Sequence, residues 1–202
     1  MAPHTSDRFR LKVSLSESVP EIWRLIDVDG DLTLAEFHYV LQTAFGWHNE
    51  HLHAFNDTAP YARARKRGRT WSAPSPWGDT NDDLPEADWT LDRVFAEISG
   101  PLFYLYDFGD SWLLSIDIVE SVAKAPSDLR VVFIDGARRG PLEDSGGIRG
   151  YTELVESIAD PGHERHEELR EWLYEVWGTV DSFDPATFDV PGANAVLRTL
   201  PF

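Results

Sequence analysis

Polar and apolar residues alternate over residues 9–15, with Phe9, Leu11, Val13 and Leu15 on one side and Arg10, Lys12 and Ser14 on the other. A period of two predicts a half-buried strand. Residues 22–28 predict its partner, with 17–21 as the turn. The period then changes. Leu34, Phe37, Val40, Leu41, Ala44 and Phe45 recur at helical spacing, Thr33 and Glu36 form a capping box before them, and Gly46 ends the run. A short strand at 51–55 completes a strand-strand-helix-strand start of β-grasp-like order.

Residues 57–89 lack sustained periodicity and are broken by Pro and Gly, which predicts a long charged surface excursion. Its basic block, Arg63, Arg65, Lys66, Arg67 and Arg69, stands before an acidic one, Asp79, Asp82, Asp83, Glu86 and Asp88. The blocks can neutralise each other, or the basic loop can meet an anionic partner. Trp71, Trp77 and Trp89 fall in the same stretch, where exposed aromatics beside arginines suit a single-strand or peptide groove and a disordered loop accounts for them equally. Thr90 caps a short helix bearing Leu91, Val94, Phe95 and Ile98. Strands at 102–106 and 112–119 then flank Asp107-Phe108-Gly109-Asp110, a turn expected to hold Gly109 at positive φ. Three helices are expected beyond residue 150. One carries Tyr151, Leu154, Val155 and Ile158, one opens at Asp160-Pro161 and carries Leu169, Trp172, Leu173 and Val176, and a short last one holds Val196, Leu197 and Leu200. Asp184-Pro185 repeats the start signal. No repeat or heptad is present. The order predicts one α+β domain over residues 1–202, a mixed β-sheet with helices packed against it and a helical C-terminal third.

Composition narrows the chemistry. With 42% hydrophobic and 12% aromatic residues the 202-residue chain is no disordered tail, and at that length it can bury about 70% of its unfolded surface. It has no cysteine, which excludes disulfides, thiolate metal sites and cysteine nucleophiles and leaves N and O ligands. A net charge of −17 repels phosphate backbones, so nucleic acid is expected to bind only weakly and through the basic loop. No apolar run is long enough for a membrane span, and the expected location is the cytoplasm.

Three polar motifs carry the candidate chemistry. His51 and His53, two apart on a strand, share one face and can chelate one metal, or both can be hydrogen-bonded strand residues. Asp107 and Asp110 bracket a Gly-containing turn, as a carboxylate pair or as turn formers, with Trp112 just beyond. Glu143-Asp144-Ser145-Gly146-Gly147 joins two acids to a Gly pair before a helix, where backbone N–H groups could meet an anion or the acids could cap the helix and pair with Arg138, Arg139 or Arg149. Gly146 and Gly147 thus join His51, His53, Asp107, Asp110, Trp112, Glu143 and Asp144 as candidates for one binding cleft. His51, His53, Asp107 and Asp110 are the candidate metal ligands. His163 and His166, three apart on a charged helix, read as a solvated face.

Four segments in order, GWHNEHLHAF at 46–55, YLYDFGDSW at 104–112, DGARRGPLEDSGGIRGY at 135–151 and FDPATFDVPGAN at 183–194, together with the opening LKVSLSESVPEIW, resemble the Ri-plasmid pRiA-type ORF-three-like family, also labelled a TnpR-like passenger protein of insertion elements. The resemblance spans roughly residues 8–200 and implies an α+β fold without a defined activity. Relatives commonly carry His where Leu114 stands and Cys near Phe133 and Gly140, so a centre using those residues is lost here. The label's resolvase activity is not supported by the residues, because the segment 151–202 is acidic and holds no basic recognition helix.

Two functions follow as expectations. One is a non-enzymatic binding or accessory protein of mobile-element origin with a protein or peptide partner. The other is a metal-assisted hydrolase built from His51, His53, Asp107, Asp110, Glu143 and Asp144. No cofactor is firmly implied, and a divalent metal is the candidate.

Overall fold

The computed structural model describes residues 8–61, 68–74, 82–123 and 129–201. Strands β1 (Arg8–Leu15) and β2 (Trp23–Asp29) pair antiparallel, as their alternation requires. Helix α1 (Leu34–Phe45) starts with the capping box in place: Thr33 Oγ1 accepts the Glu36 N–H, and the Glu36 carboxylate accepts the Thr33 N–H at 2.7 Å. Gly46, at φ 74°, ends it. There follow β3 (His53–Asn56), β4 (Thr70–Ser72), β5 (Leu84–Pro85), a 3₁₀ turn at Glu86–Asp88, α2 (Leu91–Glu97), β6 (Leu102–Tyr106), β7 (Trp112–Val122) and β8 (Val131–Ala137). Helices α3 (Gly147–Ala159), α4 (His166–Trp177) and α5 (Val190–Leu197) close the chain.

All eight strands form one sheet in the order β5-β4-β3-β6-β7-β1-β2-β8, antiparallel except for the β4–β5 pair. The fold is therefore the expected α+β domain with a mixed sheet. The inward residues Phe9, Leu11, Val13 and Leu15 of β1, Ile26 and Val28 of β2 and Leu114 and Ile116 of β7 join Phe37, Val40 and Leu41 of α1 in one buried cluster. The outward row is polar, and Arg10 bridges Asp27 and Glu120 across β1, β2 and β7 at 2.7 and 2.6 Å. Arg24 breaks the inward row of β2. Its guanidinium is wholly buried, donates to the carbonyls of Ala44, Trp23 and Ala137, and caps the C-terminal turn of α1.

Several expectations are corrected. Residues 57–89 are not wholly a surface excursion, because β4 and β5 add to the sheet and Trp71 and Trp89 are buried against each other. Arg69 is not a free loop cation: it pairs with Asp57 and Glu97 at 3.1 and 2.5 Å and lies over both Trp rings. Arg63, Arg65, Lys66, Arg67, Asp79 and Trp77 lie outside the described residues. Helix α4 starts five residues after Pro161, since Asp160 turns back to the Gly162 N–H instead of capping a helix. Asp184 likewise bonds Ala186 N and Thr187 Oγ1 in a local turn, and Asp189 caps α5. Strand β8, for which residues 131–137 gave no expectation, forms an edge of the sheet.

Candidate functional site

The motif residues meet where the α1–β3 connection, the β6–β7 turn and the loop before α3 come together. Gly46 turns the chain out of α1, and Trp47 stacks on Tyr106 at 4.8 Å while its indole N–H donates to Pro141 O at 3.0 Å. That contact ties the first motif to the third. Tyr106 sits between them, its hydroxyl donating to Glu143 and accepting the N–H groups of Glu50 and His51. Burial, reinforced by the bond and charge of Glu143, holds the Tyr106 phenol above its usual range, so it stays protonated and donates. The other Glu143 oxygen accepts from the His48 backbone N–H at 3.0 Å and meets His48 Nδ1 at 2.9 Å.

The β6–β7 turn is wound by Asp107 and Ser111, at φ 55° and 59°. Gly109 is absent from the positive-φ positions, which corrects the expectation for that residue: Asp tolerates the left-handed region because its side chain bonds the local backbone, and Asp107 Oδ1 accepts the Gly109 N–H at 2.9 Å. Asp107 Oδ2 then lies 3.8 Å from His51 Nε2. The Gly-rich loop reaches the same place. Asp110 Oδ2 accepts the Gly146 N–H at 3.1 Å, and Gly147, at φ 68°, passes so close that a Cβ would stand 2.6 Å from Asp110 O. Asp144 Oδ1 is thereby held 3.3 Å from His51 Nε2.

His51, Asp107 and Asp144 are thus one cluster whose donor atoms lie within 4.8 Å of one another. His51 Nε2 is itself buried and has no hydrogen-bond partner. Metal–donor bonds of about 2.1 Å place neighbouring donors roughly 3.0 to 3.4 Å apart in octahedral or tetrahedral geometry, so the 3.3 Å separation fits and the 3.8 Å one closes with a small side-chain rotation. One imidazole and two carboxylates suit a divalent ion such as Mn²⁺ or Zn²⁺. Leu52, Tyr61 and Phe108 stand exposed on the segments around it, and the Tyr61 hydroxyl bonds Ser111 Oγ at 3.0 Å.

The remaining candidates have other places. His53 does not share the cluster with His51: its Nε2 meets Glu86 at 2.8 Å in a buried pair, and its ring stacks on His38 at 3.7 Å. His51 precedes β3, so strand alternation does not govern it. Asp110 spends its carboxylate on Gly146, and Glu143 spends its own on Tyr106 and His48. Trp112 is a core residue, buried and packed 6.3 Å from Trp47. Gly146 and Gly147 serve the loop's approach to Asp110. His163 and His166 bond backbone groups of Arg165 and Ser157. Sequence reasoning left out Tyr106, although its place two residues after buried Tyr104 marks an inward side chain next to the first acid of the turn.

A model of the family described as plasmid pRiA4b ORF-3-like protein matches residues 7–191, in agreement with the four motifs. The chain is 37% identical over 164 residues to uncharacterized protein y4hQ of Sinorhizobium fredii (strain NBRC 101917 / NGR234), covering 81% of this chain and 79% of that one. Its fold is similar to the crystal structure of a protein of unknown function, MM3350, from Methanosarcina mazei Go1, with a TM-score of 0.78, 28% identity, and 93% of this chain and 97% of that chain covered.

Proposed function

The chain belongs to the plasmid pRiA4b ORF-3-like family, and from that premise we propose that it is a non-enzymatic binding or accessory protein whose working face is organised by a divalent cation on His51, Asp107 and Asp144. The observation that carries this reading is the convergence of three motifs on one imidazole and two carboxylates, with His51 Nε2 buried, facing both acids and making no hydrogen bond. Exposed Leu52, Tyr61 and Phe108 beside it supply the apolar contacts of a partner surface. The neighbouring acids Asp110 and Glu143 are held in backbone and side-chain hydrogen bonds, which supports binding over proton transfer. The proposed partner is a protein or peptide in the cytoplasm. The net charge of −17 disfavours nucleic acid, and the family's plasmid description supports mobile-element origin. No helix among the described residues is long and apolar enough to cross a membrane.

Metal-assisted hydrolysis is the second reading. What favours it is that three protein ligands leave coordination positions for water. Titrating chelator-stripped protein with Mn²⁺ and Zn²⁺ by calorimetry tests the cation, and assays of phosphoester and peptide cleavage on the loaded protein separate the readings. One bound ion without turnover is the expected result. Turnover lost in Asp107→Asn would replace the accessory role with the hydrolase.

A further inference from the structure

The segment that brings Glu143 and Asp144 to the cation cluster also carries Arg139, whose guanidinium forms no ion pair among the described residues and, of the carboxylates, feels only the more distant charge of Asp184. Its Nε is buried without a hydrogen-bond partner, and its charge lies against the rings of Trp177 and Phe183 at 4.1 and 4.8 Å. Arg139 and Arg24 both line a cleft of about 380 Å³. Arg24 is wholly buried, hydrogen-bonded to backbone carbonyls and to no carboxylate, and packed between Phe188 and Phe45. Among the described residues neither arginine has an ion pair, in a chain with thirty-five acids against eighteen bases.

Two acids line the same cleft, and both are already engaged in local hydrogen bonds. Asp184 bonds Ala186 N and Thr187 Oγ1, and Asp189 accepts the Gly192 N–H at the start of α5. The Tyr151 hydroxyl, also buried without a partner and within reach of the charges of Arg139, Arg138 and Arg24, lines a separate cleft with Ile22 and Arg138 and is not a donor to this one. Burial pushes the pKa of Arg139 down, although the charge of Asp184 acts against it, and pushes that of Arg24 down to about 9, as expected of cations removed from water without an ion pair. Leaving a buried charge uncompensated is costly, and a bound anion offsets that cost.

We propose that this cleft binds a small organic oxyanion, its carboxylate or phosphate group hydrogen-bonded to Arg139 in the field of the buried charge of Arg24, with the remainder against Phe45 and Phe188. Its volume falls in the range of about 300 to 1,000 Å³ common to small-molecule sites. Guanidinium geometry suits both head groups.

The test titrates the full chain, in chelator, with inorganic phosphate and separately with succinate, following the Arg139 Nε–H by NMR and the heat by calorimetry. A saturable shift of that resonance with either probe is expected, and which probe acts identifies the head group. Arg139→Gln should weaken binding at least about tenfold, the worth of a charge-assisted hydrogen bond. Arg149→Gln and Asp107→Asn should leave it unchanged, the latter showing that the cation cluster is not responsible. Neither probe moving the Arg139 resonance, or Arg139→Gln binding as tightly as the natural chain, overturns the proposal. If that variant does not fold, the resonance of the natural chain decides alone.

Discussion

At the scale of single residues, the buried polar side chains carry the most specific expectations. His38 donates from Nε2 to Asn49 Oδ1 at 2.8 Å and accepts at Nδ1 from Tyr104, whose hydroxyl in turn accepts from Gln42. That arrangement holds one neutral tautomer. Burial, with the adjacent charge of His53, pushes the His38 pKa down to about 3. In the unfolded chain a histidine titrates near 6.5, so between about 6.5 and 3 the unfolded state holds a proton that the folded state does not. Stability therefore falls as pH falls through that window, by up to about 1.4 kcal/mol per pH unit from this group. Urea unfolding of the natural chain and His38→Gln at about pH 6 and pH 4 checks it, the variant being expected to lose part of the slope whatever its absolute stability. Equal slopes would contradict the assignment. The burial of Arg24 was not anticipated from the sequence, although its place between Ile22 and Ile26 puts it on their inward alternation. Nor was the pairing of His53 with Glu86, because it joins β3 to a turn thirty-three positions away that no local period announces.

At the scale of elements, legibility follows the strength of local signals. The capping box and helical stripe of α1 were readable because each residue acts on neighbours within a turn. Thr33→Ala removes the cap and should destabilise the fold by about 1 kcal/mol, read from the midpoint of chemical denaturation. Strand β8 escaped because Val132 and Ile134 put apolar side chains on its outer face, so its seven residues show no clean alternation. The short β4 and β5 were hidden by surrounding Pro, Gly and charge, although Trp71 is a core residue. Asp-Pro misled twice, because a side-chain turn onto the next N–H groups competes with a helix cap. The contact between the β6–β7 turn and the Gly-rich loop is a meeting of elements. Gly147→Ala puts a Cβ at 2.6 Å from Asp110 O in a left-handed backbone, and should cost about 1 to 3 kcal/mol while loosening Asp144. A thermal midpoint equal to that of the natural chain would show that the loop has another route.

For the whole molecule, the sheet brings together segments that are distant in sequence, and the candidate site exists only through that assembly. The three motifs were visible as polar, Gly-rich departures from periodicity. Which of their acids face a common centre was not visible, since that choice depends on Asp107 turning left-handed and on Asp110 and Glu143 being consumed by hydrogen bonds. The cluster of His51, Asp107 and Asp144 is the central claim, and elemental analysis of untagged protein equilibrated with excess Mn²⁺ or Zn²⁺ and then desalted tests it most directly. The natural chain is predicted to retain one ion per molecule, with His51→Gln and Asp107→Asn folded and retaining at most about a tenth of it, while His53→Gln retains the ion because it lies outside the cluster. A natural chain that keeps no ion, or His51→Gln and Asp107→Asn variants that keep as much as it does, would contradict the account.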